Sequence, residues 1–286
     1  MKHKRHLYRE IGSMILSNFD AWLHNPRTLL MALFLTATSW RIVRAFSIGI
    51  ASQNFSMHFD ESIAWFAMTG FGSMALISLT FLVTISELPP KIAFQQFMLI
   101  RSSRSKWILA QILYCLICVI VILLLLLLLM AIWVMPYTVA GSGWSDSIRI
   151  ANGMEAELAY VPQWIRSNFL PWQALLLSIV PIFSFLFTMS LTVLFFSLLG
   201  LPAIGPSLYA FVLFSSIIFM FENIPGFQPP MTFTTLMRIG YNYEDVFTQR
   251  LQTVFSIYGA FVVIQIIGIL FVAHRMNIPT YALNKK

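Results

Sequence analysis

The run Trp107–Met135 reads WILAQILYCLICVIVILLLLLLLMAIWVM, with no Asp, Glu, Lys, Arg or His in it. A helical membrane span needs about 20 predominantly apolar residues. At about 1.5 Å per residue this one outruns a hydrocarbon core of about 30 Å, so it must tilt or protrude. Composition shows that the run belongs to a pattern. The 286 residues are 58% hydrophobic and 10% charged, where a soluble domain carries about 25% charged residues. The chain therefore reads as all-α, a polytopic membrane protein with six transmembrane helices. The spans are expected at about 28–50, 62–86, 107–135, 172–199, 205–222 and 253–273. The piece GLPAIGP joins the fourth and fifth by a tight hairpin, and Pro181 is a kink candidate in the fourth.

The first span is preceded by a helix of another kind. In residues 11–23, Ile11, Met14, Ile15, Phe19, Trp22 and Leu23 recur at helical spacing, while Ser13, Ser17 and Asp20 are polar. This predicts an N-terminal amphipathic interfacial helix within a cytoplasmic segment 1–27. The basic start has no compact apolar core directly after it, so no cleaved leader is expected. His24-Asn25-Pro26-Arg27 breaks the helix, and Pro26 suits the first turn of the next. Residues 28–273 form the transmembrane domain and 274–286 a cytoplasmic tail. Two longer polar connections, 136–171 and 223–252, interrupt the spans. In the second, Met231–Ile239 is too short to cross and reads as re-entrant or interfacial.

Lys and Arg set the orientation. With the N-terminus inside, twelve fall on the cytoplasmic side: Lys2, Lys4, Arg5, Arg9, Arg27, Lys91, Arg101, Arg104, Lys106, Arg275, Lys285 and Lys286. Four fall outside: Arg149, Arg166, Arg238 and Arg250. Both termini are then cytoplasmic, which agrees with an even number of spans. Most carboxylates lie on the outer side. The net charge of +7 is accounted for by span ends facing anionic headgroups, so nucleic acid is not an expected partner and membrane lipid is.

Few residues invite chemistry. No G-x-x-x-x-G-K-[ST] occurs and no paired histidines are present, so the chain is not expected to be an enzyme, to bind a cofactor or to hold a metal. Cys115 and Cys118 share a helix face inside an apolar run, where packing accounts for them. Gly70 and Gly72 would allow close helix contact in the second span. The tryptophans cluster near span ends, as an interfacial belt requires. Arg41 and Arg44 stand out. They lie three apart in the outer half of the first span, where a charge costs several kcal/mol unless it snorkels. Either they reach the headgroups or pair with Asp60 or Glu61, or they face a polar translocation path.

The connection between the second and third spans, SELPPKIAFQQFMLIRSSRSKWIL, is far longer than a turn of about 5 residues. Pro90 can open a new helix, in which Ile92, Phe94, Phe97, Met98 and Ile100 mix with Lys91, Gln95 and Gln96. Arg101, Arg104 and Lys106 follow. A short helix parallel to the membrane fits, either as a surface-bound linker or as a dock for a cytoplasmic partner.

The layout resembles the membrane subunit of type-2 ABC exporters, six-span permeases that work with a separate ATPase. Three features carry the resemblance across nearly the whole chain. They are the amphipathic helix running through FDAWLHNPRTLLMAL into the first span, the entry RSSRSKWILAQIL into the third, and the polar outer segment before the sixth. The resemblance implies a cytoplasmic coupling helix at Pro90–Arg101 that seats in an ATPase. Its ATPase-coupling residues would be Pro90, Lys91, Phe94, Gln95, Phe97, Met98 and Arg101, with Arg104 just beyond. It further implies a partner ABC ATPase dimer carrying ATP and Mg, and a second permease subunit of the same or a different chain. Spans one, two and five would line the path, with Arg41 and Arg44 as candidates within it, in a bacterial plasma membrane. The long segment 136–171 and the two arginines depart from the simplest pattern and leave the substrate unassigned. The other readings are a membrane assembly or sensing protein that uses the same dock, and an ion-coupled carrier. The second of these is disfavoured by the lack of acids within the spans.

Overall fold

The structure, a computed structural model, describes residues 2–51, 57–67, 71–89, 104–145, 163–221 and 247–275. Almost all of these are helical. In chain order the helices are α1 (Lys2–Leu23), α2 (Pro26–Ala51), α3 (Phe59–Ala67), α4 (Phe71–Ile85), α5 (Arg104–Val134), α6 (Gln163–Asn168), α7 (Pro171–Leu198), α8 (Ile204–Phe221) and α9 (Phe247–Arg275). The all-α expectation needs one addition. Strands β1 (Met57–His58) and β2 (Thr138–Val139) pair in parallel, Met57 with Thr138 and His58 with Val139.

Three helical stretches are long and apolar enough to cross a membrane: Arg104–Tyr137, Pro171–Leu198 and Phe255–Arg275. They correspond to the third, fourth and sixth expected spans. The first expected span corresponds to α2. The fifth corresponds to α8, whose described apolar part is shorter. The span expected at 62–86 is described as two helices, α3 and α4, flanking residues 68–70. Those three residues, Gly70 among them, lie outside the described residues, as do 90–103, 146–162, 222–246 and the tail 276–286. The expected coupling helix and the re-entrant piece Met231–Ile239 fall in these segments.

Local chemistry accounts for the element ends. Asn25 caps α2: its Oδ1 accepts the Arg27 N–H at 3.0 Å, and Pro26 occupies the first helical position, where no N–H is needed. Gln173 Oε1 reaches back to accept the Leu170 N–H at 2.9 Å at the start of α7. Gly200, at φ 82°, ends α7 in the left-handed conformation, and the Leu201 N–H donates to the Phe196 carbonyl at 2.9 Å. The predicted hairpin to α8 follows at once. Pro181 sits within α7 without terminating it.

The most enveloped helix is α7, which packs against α3, α4, α5, α8 and α9. Its Phe185, Leu186, Met189, Leu191, Val193 and Leu194 are buried. In lipid there is no water to expel between helices, so close van der Waals fit must hold them together. Gly205 of α8 illustrates this: a Cβ there would lie 2.8 Å from Val193 Cα of α7.

The amphipathic helix is longer than expected, starting at Lys2 rather than near residue 11, with no breaker among its residues. Its apolar face is committed to protein. Ile11, Met14 and Trp22 are buried, and α1 packs against α5. Leu16 and Leu23 stay exposed on the opposite side.

Candidate functional site

The elements on either side of the connection 90–103 are each tied to other parts of the bundle. Before it, Ser86 and Glu87 follow α4 and meet the joint between α1 and α2. Arg27 Nη2 lies 3.0 Å from Glu87 Oε1, and Arg27 Nη1 donates to Ser86 Oγ at 2.8 Å. Asn25 Nδ2 donates to Glu87 Oε2 at 3.3 Å. After it, Lys106 Nζ pairs with Glu10 Oε2 of α1 at 2.6 Å. Arg104 Nη1 donates to the His274 carbonyl, at the end of α9, at 3.4 Å. Half-exposed ion pairs contribute little each, about 0–1 kcal/mol. A third tie lies deeper. Asn18 Nδ2 of α1 donates to Gln111 Oε1 of α5 at 3.2 Å, with both side chains buried.

Together these contacts form a polar collar in which α1, α2, the end of α4, α5 and the end of α9 meet. Asn25, Arg27, Glu10, Lys106, Asn18 and Gln111 were not marked as site residues by sequence. One signal was available: Asn18 and Gln111 each sit at an apolar phase of their helices, where an unpaired amide is costly.

Of the sequence-derived coupling residues, Pro90, Lys91, Phe94, Gln95, Phe97, Met98 and Arg101 lie outside the described residues. Arg104 is described, and opens α5 with its side chain exposed. Arg41 and Arg44 are both exposed on α2, on the face that also shows Ala37 and Trp40. The Arg44 guanidinium lies 5.0 Å from the centre of the Trp40 ring.

Asp60 and Glu61, the counter-ions that sequence offered these arginines, belong to a second polar knot at the opposite end of the bundle. Asp60 Oδ1 accepts the Glu61 N–H at 2.9 Å, and its Oδ2 accepts the Gly143 N–H at 3.3 Å. The buried Glu61 carboxylate accepts the Ser145 N–H and hydroxyl and the His58 N–H. Burial pushes the Glu61 carboxyl above its ordinary range, and the bonds from Ser145 and His58 oppose that shift in part. His58 Nδ1–H donates to the Gly143 carbonyl at 2.8 Å. The ring also packs over Gly141, where a Cβ would collide with it. Trp144 Nε1–H donates to the Phe169 carbonyl at 2.7 Å, which carries the knot on to the start of α7.

A smaller polar group lies among α7, α8 and α9. Gln265 Nε2 donates to Thr192 Oγ1, the Thr192 hydroxyl donates to the Thr188 carbonyl at 2.9 Å, and the Tyr209 hydroxyl is 3.5 Å away. Among the described residues no group of three or more His, Cys, Asp or Glu side chains is placed to hold a metal ion. Compared with known proteins, the chain matches no family model and no curated protein.

Proposed function

We propose that this chain is the six-span membrane permease subunit of an ATP-binding-cassette exporter, in a bacterial plasma membrane with both termini cytoplasmic. It would be driven by a separate ATPase dimer that binds ATP and Mg, and would pair with a second permease subunit. The observation that carries the reading is the collar. A cytoplasmic connection used only as a linker needs no tie at its ends. Here Ser86 and Glu87 are held by Asn25 and Arg27, and Lys106 by Glu10. A displacement of residues 90–103 would therefore reach α1, α2, α4 and α5 together, as a mechanical input from an ATPase requires. The face of α2 that exposes Arg41 and Arg44 is where that helix would border a path or a second subunit.

The test is recovery of the tagged chain from its native membrane. A cytoplasmic ATPase should co-purify, and transport into vesicles should stop when that ATPase loses its phosphate-binding lysine. Charge reversal at Arg101 and Arg104, or a polar change at Phe94 or Phe97, should leave the ATPase bound or weakened while uncoupling hydrolysis from transport. Recovery of a stable partner that is not an ATPase would favour the second reading, an assembly or sensing protein that uses the same dock. Normal transport by a folded Arg41→Ala/Arg44→Ala variant would remove those two residues from the path.

A further inference from the structure

Among the described residues, the charges at the collar do not all balance one another. By the sequence topology, three of its eleven carboxylates fall on the cytoplasmic side, Glu10, Asp20 and Glu87. Two of them face a cation, Glu10 with Lys106 at 2.6 Å and Glu87 with Arg27 at 3.0 Å, and the third, Asp20, lies 3.4 Å from the His24 ring just past the end of its own helix, away from Arg104 and Arg275 in sequence. Arg104 and Arg275 have no carboxylate partner among the described residues. They are neighbours nonetheless, because Arg104 reaches the carbonyl of His274. That bond uses one of five guanidinium N–H donors and no charge.

The surface beneath them is apolar. On α9, Ile264, Ile267, Phe271 and Arg275 follow one another at intervals of three and four, on one face. All four are exposed. The Arg275 guanidinium lies 4.2 Å from the centre of the Phe271 ring. The stripe thus runs from exposed aliphatic side chains, through an aromatic ring, to two guanidinium groups at the helix end. That order matches the profile of one lipid molecule, with acyl chain along Ile264 and Ile267 and phosphate at the arginines.

We propose that the α5–α9 edge is a binding site for an anionic phospholipid, with Arg104 and Arg275 holding the headgroup phosphate and the Ile264–Phe271 stripe holding an acyl chain. An acidic segment of a cytoplasmic partner could neutralise the arginines but would not account for the apolar stripe continuous with them. The inference rests on the membrane placement of α9 and not on the permease reading, and its test needs no ATPase.

The full chain is purified, placed in nanodiscs of mixed phosphatidylcholine and phosphatidylglycerol, released, and weighed intact with its retained lipids. Wild type should retain phosphatidylglycerol over phosphatidylcholine. Arg104→Gln and Arg275→Gln should each weaken that preference about fivefold, the factor that corresponds to one basic residue at an anionic surface. Arg104→Lys/Arg275→Lys should keep most of it. Equal retention of both lipids by wild type overturns the proposal. So does unchanged phosphatidylglycerol retention by a Gln variant that melts at the wild-type temperature. If both Gln variants fail to fold, the proposal stands or falls on the wild-type preference together with Ile267→Ser, which should retain less of either lipid if the stripe holds a chain and the same amount if it does not.

Discussion

Glu61 is a residue whose position in the chain gives little hint of its surroundings. It stands in the first turn of α3, where a negative charge is favourable beside the helix N-terminus, yet its side chain is buried. Burial raises its carboxyl above the unfolded value, so the sign of its linkage is reversed from that of an ion-paired acid. Its contribution to stability is complete below the unfolded value of about 4.3 and is lost as pH rises through the higher folded value. Glu61→Gln should flatten that dependence, so that wild type loses stability relative to the variant as pH rises from about 4 toward neutrality. A series of thermal melts in detergent at stepped pH checks it; parallel curves for the two proteins would show that Glu61 titrates as it does unfolded. Arg27 makes a different case. Its pair with Glu87 is part-exposed, so Arg27→Ala should cost at most about 1 kcal/mol of stability. Under the permease reading it should still lower the transport obtained per ATP, because the tie between α2 and the connection is gone. Transport and hydrolysis measured on one vesicle preparation give that ratio.

At the scale of elements, the buried Asn18–Gln111 hydrogen bond adds a polar tie to the apolar packing of α1 on α5. Asn18→Leu alone strands the Gln111 amide in an apolar contact, and Gln111→Leu strands Asn18, each at a cost of about 1–3 kcal/mol. The double Leu variant should recover most of the loss, since removing both partners of a buried bond is close to neutral. A double-mutant cycle of melting temperatures reads the coupling, and additive losses would mean that the two amides do not depend on each other. The α7–α8 contact depends on space instead. Gly205→Val would push a branched side chain into the Val193 backbone. A loss of about 1–3 kcal/mol is expected from overpacking, with the hairpin turn itself unaffected.

For the whole molecule the bundle has two polar ends, one built around Glu87, Arg27, Glu10 and Lys106, the other around His58, Asp60, Glu61 and Ser145. Single cysteines placed near residue 95 and near residue 142, in a chain whose Cys115 and Cys118 are replaced by Ala, should be modified by a membrane-impermeant thiol reagent from opposite sides. Modification of both from the same side would overturn the proposed six-span arrangement. The expected spans 28–50, 172–199 and 253–273 correspond to continuous helices because apolar length and flanking Pro, Gly and basic residues are local signals. The hairpin at Gly200 and the Asn25-Pro26 helix start were legible for the same reason.

Composition and the long uncharged runs by themselves determined that this chain belongs in a membrane, that it is helical, and where its basic residues gather. Those conclusions follow from the cost of exposing polar backbone to lipid and from the 3.6-residue repeat, and both act over a few turns. Tertiary structure alone decided which polar side chains meet. Glu10 and Lys106, Arg27 and Glu87, Asn18 and Gln111, and Glu61 and Ser145 lie 96, 60, 93 and 84 residues apart respectively. No repeat or spacing connects them. Their pairing comes from the order in which the helices pack around α5 and α7, and it turns a loosely basic edge into a collar on which Arg104 and Arg275 stay exposed.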